Sequence, residues 1–258
     1  MSGDTLYNSE RAEKILELLR NQGSVSVNYL SEYFSVSGAT IRSDLSKLES
    51  CGDVIRTHGG AMLKSSIQRE LRISDRTNDD KKALIANKAL ELINSEDTLL
   101  LDTGTTMQAL AQALLRSSLK RIRIYTIDLE VIRILEPRDD FELYLMGGKI
   151  RNGFHYCYGR TIPDELKYYN FEKLFLASSA ISFEHGLTVS NNELAQMKQA
   201  MMQSSKNICL LADSTKLGRI DFQSFAGLEE IDTLIMDANV SDPDKEKLNE
   251  QISKVVLV

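Results

Sequence analysis

Seven short apolar runs recur between residues 97 and 258, and they constrain the fold more than any other feature of the chain. They read DTLLLD, RIRIYT, FELYLMGG, KLFLAS, NICLLAD, DTLIMD and KVVLV, and stretches of helical length alternate with them. Strands that are buried on both faces are continuously apolar, and strands that alternate with helices run parallel. The sequence therefore predicts an α/β domain with a doubly wound, mostly parallel sheet.

Polar residues follow four of these runs, at the predicted carboxyl ends of the strands. Ligands of such sheets bind at this edge. Glycines, hydroxyls and cations together suit a small phosphorylated polyol, because a helix N-terminus and a cation bind phosphate while carboxylates bind hydroxyls. Each loop taken singly also has a plain structural explanation, since a turn from strand to helix needs glycine and a cap. The candidate ligand residues are Asp102, Gly104, Thr105 and Thr106, then Thr126 and Asp128, then Gly147, Gly148, Lys149 and Arg151, and finally Asp213 and Lys216.

The segment SGATIRSDLSKLE, residues 37–49, predicts a helix with two unlike faces. Ile41, Leu45 and Leu48 recur at i, i+4 and i+7 and form an inward stripe. Ser37 is placed to cap the N-terminus, and Gly52 is placed to end the helix. The outward face carries hydroxyls and cations, namely Thr40, Arg42, Ser43, Ser46 and Lys47.

Two further helices are predicted before this one. In SERAEKILELLRNQG, Ile15, Leu18 and Leu19 share a face that ends by Gly23, and SVNYLSEYFSVS aligns three apolar residues behind a cap at Ser26. Two short helices joined by a tight turn, the second with a polar outward face, are typical of a helix-turn-helix. The following DVIRTHGGA alternates and then breaks at two glycines, which predicts a β-hairpin or wing.

Hydroxyls and cations on the third helix suit phosphates and base edges of DNA. The alternative is an ordinary solvated face on which Arg42 pairs with Asp44 or Glu49. The overall charge does not indicate nucleic-acid binding, because the net charge is −6 and residues 1–64 contain seven Lys/Arg and eight Asp/Glu. Binding depends instead on which cations meet phosphates. The candidate DNA contacts are Ser37, Thr40, Arg42, Ser43 and Lys47 on the helix, with Arg56 and His58 on the wing.

Helix, helix, capped polar helix and wing, in this order, resemble the DeoR family of bacterial sugar-metabolism regulators along nearly the whole chain. The family pattern is met by Glu10-Arg11, by VSVNYLSEYFSVSGATIRSDLSKLESCG and IRTHGGA, and by matches in three of the four strand-end loops. With the charged, aperiodic segment before residue 81 taken as a linker, the expected domains are a winged helix-turn-helix over 1–62, a linker over 63–80 and an effector-sensing domain over 81–258. The resemblance implies that this last domain is similar in fold to ribose-5-phosphate isomerase and responds to a phosphorylated sugar.

Three positions depart from the family pattern. Ser43 stands where the family usually has a second arginine, and Ile127-Asp128 stand where it usually has Asn-Ser after the threonine. Leu194 stands where a glutamate is expected, with Glu193 one residue early. A carboxylate at position 128 would repel a nearby phosphate unless it faces a sugar hydroxyl or pairs with a cation.

The leading hypothesis is a transcriptional regulator, a repressor of a sugar or sugar-derivative operon, that binds double-stranded operator DNA as a homo-oligomer (dimer or tetramer). A phosphorylated sugar would release it. The alternative is a sugar-phosphate isomerase with an appended interaction module, which needs a positioned base, and Asp102, Asp128 and Asp213 are the candidates. A third class is a winged-helix module that binds protein and has no affinity for DNA.

Several other functions are disfavoured by composition. The chain has no apolar run of about 18 residues and no apolar segment after a basic start, so neither membrane spanning nor secretion is expected. The three cysteines have no C-x-x-C spacing, and His155 and Cys157 have no third partner at metal spacing, which favours a partly buried loop there. We therefore expect a cytoplasmic protein with no metal and no cofactor.

Overall fold

A computed structural model describes residues 11–19, 24–50, 54–56, 59–63 and 78–258 of the chain. The chain divides into two compact units, which are described separately. The first comprises Met1–Glu70 with Arg219–Phe222, and the second comprises Leu71–Gly218 with Gln223–Val258.

The first unit has the predicted helices and hairpin. Its elements are α1 (11–19), β1 (Ser24–Ser26), α2 (Val27–Phe34), α3 (Gly38–Ser50), β2 (Val54–Arg56) and β3 (Gly60–Leu63). Strands β2 and β3 pair antiparallel as the predicted wing, and β1 adds to the other side of β3. The sequence did not predict β1, because a strand of three residues is too short to show an alternating pattern.

The three predicted apolar stripes meet in the core of this unit. Ile15, Leu30, Ile41 and Leu45 are fully buried, and Phe34 packs partly buried against them. The predicted caps are confirmed as well, since Ser26 accepts from the N–H of Tyr29 at 3.1 Å and Ser37 from that of Thr40 at 3.2 Å. The predicted helix ends at Gly23 and Gly52 lie outside the described residues.

The second unit is built on one seven-stranded sheet in which every pair of neighbours is parallel. Its strand order is β15-β14-β12-β9-β4-β5-β6. All seven predicted apolar runs form these strands, namely β4 (Thr98–Leu101), β5 (Arg123–Thr126), β6 (Glu142–Leu145), β9 (Phe171–Leu176), β12 (Ser205–Leu211), β14 (Thr233–Met236) and β15 (Lys254–Leu257).

Helices cover both faces of this sheet. They are α4 (Asp79–Leu90), α5 (Thr105–Arg116), α6 (Leu129–Leu135), α7 (Thr161–Leu166), α8 (Asn192–Gln203) and α9 (Asp242–Gln251). Within β4, Leu100 belongs to one apolar cluster while Leu99 and Leu101 belong to another. Because successive side chains of a strand point to opposite faces, the two clusters lie on the two sides of the sheet. The predicted doubly wound α/β architecture is confirmed.

Shorter strands stand apart from the main sheet. An antiparallel hairpin joins β7 (Lys149–Arg151) to β8 (Tyr156–Tyr158), and a small antiparallel sheet has the order β10 (Ala180–Ser182), β11 (Gly186–Val189), β13 (Gln223–Ala226). The loop expected around His155 and Cys157 was wrong in part. Cys157 is buried in β8, where its backbone pairs with β7, and His155 occupies the turn before it with φ of 58°.

Two features are absent from the described residues. No helix among them is long and apolar enough to cross a membrane. No group of three or more histidine, cysteine, aspartate or glutamate side chains among them is arranged to hold a metal ion. Both cysteine thiols in this part of the chain are buried, and burial raises the pKa of Cys209 to about 12, so that thiol stays protonated.

Candidate nucleic-acid interface and candidate effector site

The outward face of α3 is polar and accessible. Arg42, Ser43 and Lys47 are exposed, and Thr40 is half-buried with its hydroxyl 2.9 Å from that of Ser37. This hydroxyl pair lies at the N-terminal end of the helix, the end that a recognition helix directs to base edges.

The two carboxylates that could have neutralised Arg42 are engaged elsewhere. Asp44 is buried and accepts from Arg11 Nε at 2.7 Å, a contact that raises the pKa of Arg11. Glu49 accepts from the backbone N–H of Arg56 at 3.2 Å. Within the described residues the Arg42 guanidinium has no hydrogen-bond or ion-pair partner, which leaves its donors available to a ligand.

The wing joins the same polar surface. The Arg56 guanidinium donates to Ser46 Oγ at 2.8 Å, and Ser46 lies on the exposed face of α3. This contact fixes the position of the Arg56 cation beside the helix. His58, the other candidate on the wing, lies outside the described residues.

The four candidate effector loops lie at one edge of the main sheet. They follow β4, β5, β6 and β12, and β4, β5 and β6 are consecutive neighbours in the strand order. Parallel neighbours are spaced by about 4.8 Å, so the first and third loops are separated by only the width of β5. The fourth loop is on the other side of β4, beyond β9.

Asp102 forms a buried ion pair that the sequence did not predict. Its Oδ2 accepts from Lys198 Nζ and, at 2.9 Å, from the backbone N–H of Ala177, while Lys198 also donates to the carbonyl of Ala177 at 2.9 Å. Asp102 is 0% exposed and Lys198 3%. The pair ties α8 to the ends of β4 and β9. Asp102 Oδ1 is buried without a hydrogen-bond partner among the described residues.

Asp128 links the first loop to the second. Its Oδ1 accepts from the backbone N–H groups of Glu130 and Val131 at 2.8 and 3.2 Å, so it caps α6. Its Oδ2 accepts from the Thr103 hydroxyl at 2.8 Å and from the Gly104 N–H at 2.9 Å. Burial raises the pKa of Asp128, and the four hydrogen bonds offset this only in part. Both carboxylate oxygens of Asp128 thus accept hydrogen bonds from the protein's own donors.

We expect Asp128→Asn to destabilise the second unit by roughly 1 to 3 kcal/mol, because the amide nitrogen cannot accept hydrogen bonds and leaves buried donors unsatisfied. Urea denaturation measures the change in the free energy of unfolding. Asp139→Asn is the matched control, since Asp139 is exposed. Equal stability of the two variants would show that the four contacts of Asp128 contribute nothing.

The N-terminus of α5 is shaped by Gly104. This residue has φ of 116°, a conformation that side chains rarely adopt. Its N–H is already used by Asp128, whereas Thr105 and Thr106 contribute the next two N–H groups of the first turn, where a helix offers no acceptor of its own. Thr105 is half-buried and Thr106 is buried.

The third loop brings cations next to aromatic rings. Arg151 donates to the hydroxyl of Tyr156 at 2.6 Å and stacks on the ring of Phe154 at 4.4 Å. Tyr156 forms a backbone bridge with Asp128, which connects this loop to the first two. Gly148 allows a close contact between backbone segments, because an added Cβ there would lie 2.4 Å from a backbone oxygen. At Gly147 an added Cβ would meet open space.

The fourth loop contains a cluster of hydrogen-bonded polar groups. Asp213 is buried and accepts from the backbone N–H of Thr215 at 3.0 Å. Ser214 bonds to Asp237, which follows β14 and pairs with Lys81 of α4 at 2.8 Å. Burial raises the pKa of Asp237, but the bonds from Lys81 and Ser214 outweigh burial and hold that pKa below its ordinary value.

Exposure divides the twelve candidate effector residues into two groups. Those with accessible side chains or backbone are Thr105, Gly147, Gly148, Lys149, Arg151 and Lys216, and those that are buried are Asp102, Gly104, Thr106, Thr126, Asp128 and Asp213. The sequence missed Lys198, Thr103, Tyr156, Lys81 and Asp237. No periodicity or spacing in the sequence marked these five residues.

The departures from the family pattern are accommodated within the fold. Leu194 is buried, and its N–H donates to the capping Asn191 at 2.8 Å. Glu193 is exposed in the first turn of α8. Glu193 thus has the position of a surface residue near a helix N-terminus, where a negative charge is favourable.

A winged helix-turn-helix unit and an α/β unit with polar strand-end loops, carried on one chain, define the class of ligand-responsive DNA-binding regulators. Two family models match this chain. The DeoR-like helix-turn-helix domain covers residues 11–67, and the DeoR C terminal sensor domain covers residues 77–238. The chain belongs to the DeoR family.

Characterised relatives match over almost their full length. The HTH-type transcriptional repressor GlcR of Bacillus subtilis is 34% identical over 90% of this chain and 89% of its own. The glycerol-3-phosphate regulon repressor of Escherichia coli is 33% identical over 89% of this chain and 91% of its own. The lactose phosphotransferase system repressor of Staphylococcus epidermidis is 33% identical over 95% of this chain and 98% of its own.

Solved structures match more weakly. Ribose 5-phosphate isomerase A from Neisseria gonorrhoeae has a TM-score of 0.40 and 15% identity over 55% of this chain and 54% of that chain.

Proposed function

We propose that this protein is a transcriptional repressor that binds operator DNA through α3 and the wing and is released by a phosphorylated sugar. The observation that carries the proposal is family membership along both units, joined to a polar, accessible face on α3. The three relatives named above are repressors, and two of their names refer to glycerol 3-phosphate and to the lactose phosphotransferase system.

In the first unit, we expect Arg42 to contact a DNA base and the other candidate residues to make further contacts with the DNA. Arg42 is free to donate because its two possible carboxylate partners are engaged. The remaining contacts in the proposal are Ser37, Thr40, Ser43 and Lys47 on α3, with Arg56 and His58 on the wing. We extend the proposal to a homo-oligomer, because helix-turn-helix proteins commonly bind two half-sites. Sedimentation equilibrium of the full chain measures the number of subunits.

In the second unit, we expect accessible residues to contact the effector and buried residues to position the loops that hold it. Thr105, Arg151 and Lys216 would contact the ligand, with the phosphate at the N-terminus of α5 and near a cation. Gly147, Gly148 and Lys149 would border it. The buried carboxylates Asp102 and Asp128 would hold the loops, because their charges are engaged by Lys198 and by four protein donors.

The isomerase alternative is disfavoured by the same contacts. An isomerase needs a base that reaches the bound sugar, whereas Asp102, Asp128 and Asp213 are all buried and hydrogen-bonded within the protein. Solvent isotope exchange into ribose 5-phosphate separates the two hypotheses. A repressor shows no exchange, and measurable exchange would support an enzyme.

The function is tested by binding of the full chain to the DNA upstream of its own and neighbouring genes, with and without sugar phosphates. The panel is ribose 5-phosphate, glucose 6-phosphate and glycerol 3-phosphate. We expect salt-dependent binding that one member of the panel weakens. Binding to no upstream DNA at any salt concentration would contradict the proposal and favour a protein-binding module.

We expect Arg151→Ala to abolish the rise in melting temperature that an effective sugar phosphate gives. A ligand that binds the folded state alone stabilises it by mass action, and removal of the cation removes that binding. Differential scanning fluorimetry measures the shift. DNA affinity without ligand should remain near that of the wild type, since Arg151 belongs to the second unit.

Arg133→Ala is the matched control, because Arg133 is an exposed arginine of the same unit, paired with Glu130. It should leave the shift intact. A full shift in Arg151→Ala would contradict the proposed phosphate site, and a shift caused equally by the unphosphorylated sugar would contradict the phosphate requirement.

A further inference from the structure

Three polar groups form a closed set of contacts between the first turn of α4 and the strand ends of β12 and β14. Lys81 Nζ lies 2.8 Å from Asp237 Oδ2 and donates to Ser214 Oγ at 3.0 Å. Ser214 donates its backbone N–H to Asp237 Oδ1 at 2.6 Å and its hydroxyl to Asp237 Oδ2 at 2.8 Å. We call Lys81, Ser214 and Asp237 the Lys81 latch.

The latch is partly buried, which separates it from the surface ion pairs of the chain. The side chain of Asp237 is 6% exposed and that of Lys81 29%, whereas the Lys88–Glu91 pair on the same helix is 39% and 62% exposed. Exposed pairs contribute little because water screens them, and burial strengthens the attraction between charges. Lys81 thus holds α4 to the strand ends more firmly than a surface pair could.

A second contact joins the same two parts. Asn78 Nδ2 lies 3.5 Å from Asp213 Oδ1, and Asp213 accepts through its carbonyl from the backbone N–H of Lys216 at 3.0 Å. The loop 213–216 carries two of the candidate effector residues, Asp213 and Lys216. That loop therefore meets the start of α4 at both Asn78 and Lys81.

The latch involves the helix that directly follows the segment connecting the wing to the second unit. The helix begins at Asp79, and residues 64–77 connect its start to Leu63 at the end of the wing. A ligand that binds one arrangement of loop 213–216 better than another shifts the equilibrium between them. Through the latch, the same shift reaches the residues where the linker enters α4.

We propose that the Lys81 latch couples loop 213–216 to the start of α4 and thereby sets the DNA affinity of the chain. Lys81 lies outside the helix-turn-helix, and it affects DNA binding by holding the start of α4 in position. This inference rests on the proposed function. The closed latch orders Asn78 and the first turn of α4 before DNA binds, so that less conformational entropy is lost on binding.

The test compares the full-length variants Lys81→Met, Lys81→Arg and Lys88→Met. Methionine keeps most of the length and removes the charge, arginine keeps the charge, and Lys88→Met removes an exposed lysine from the same helix. Hydrogen exchange, which needs no ligand, is measured in the segments 79–82 and 213–216. We expect Lys81→Met to speed exchange in both segments. Faster exchange in 79–82 alone would overturn the coupling.

DNA affinity supplies the readout that a merely structural contact would not change. We expect Lys81→Met to weaken binding to the upstream DNA by roughly 2- to 30-fold, the usual range for a coupling residue, and Lys81→Arg to restore most of it. The sugar phosphate that weakens wild-type binding should have a smaller effect on Lys81→Met. Equal losses in Lys81→Met and Lys88→Met would overturn the proposal.

The two proposals fail in different ways. A wild-type chain that binds no upstream DNA refutes the proposed function and, with it, the role of the latch. A wild-type chain that binds this DNA, with Lys81→Met binding equally well, refutes the latch alone.

Discussion

Lys198→Met should lower the free energy of unfolding by about 3 to 5 kcal/mol, the usual cost of removing one partner of a buried ion pair. Lys198 is 3% exposed and its only described carboxylate partner is Asp102, which is 0% exposed. Without the ammonium group, the Asp102 carboxylate remains in the core with the N–H of Ala177 as its one described donor. Urea denaturation of the full chain, followed by circular dichroism, measures this loss.

A double variant separates the ion pair from general packing. Replacing both partners, as in Asp102→Leu with Lys198→Met, removes both buried charges, and such replacements are often close to neutral. The double variant should therefore be more stable than the sum of the two single changes predicts. Strict additivity would show that the pair contributes no interaction energy.

The control for this cycle is Lys167→Met. Lys167 pairs with Asp164 at 2.6 Å, but the two side chains are 70% and 71% exposed. Exposed ion pairs contribute little to stability, so Lys167→Met should leave the free energy of unfolding almost unchanged. A loss as large as that of Lys198→Met would mean that burial is not the cause.

Arg42→Ala should weaken operator binding by roughly 1 to 3 kcal/mol and relax the preference at one base position, if Arg42 makes a bidentate base contact. The reason is structural, because Asp44 and Glu49 are engaged by Arg11 and Arg56 and leave the guanidinium of Arg42 unpaired within the described residues. Fluorescence anisotropy with operator and scrambled DNA measures specific and non-specific affinity.

The comparison of the two affinities decides the role of Arg42. A contact to phosphate alone lowers both affinities by the same factor, whereas a base contact lowers specific binding more. Arg116→Ala is the matched control, since Arg116 is an exposed arginine at the end of α5 in the second unit. It should leave both affinities unchanged. An unaltered specific affinity in Arg42→Ala would remove Arg42 from the interface.

Local patterns in the amino-acid sequence are sufficient to predict most helices and strands of this chain. Local patterns predict the stripes of α2 and α3, the caps at Ser26 and Ser37 and all seven parallel strands. Burial of one helix face selects apolar residues at a fixed spacing, and burial of both faces of a strand selects a continuous apolar run. The strand ends, and with them the four candidate loops, were placed by the same reasoning. The strands β1 and β8, of three residues each, were missed.

The partner of each buried polar residue depends on how the elements pack in three dimensions. Asp128 was expected to face a sugar hydroxyl or to pair with a cation, yet its two oxygens accept hydrogen bonds from the first loop and from the first turn of α6. Lys198 meets Asp102 across 96 residues, and Lys81 meets Ser214 across 133. A side chain's partner depends on distances between elements that lie far apart in sequence, and local spacing carries no information about them. The apolar pattern sets which elements form, and their packing sets which charges remain free to bind a ligand.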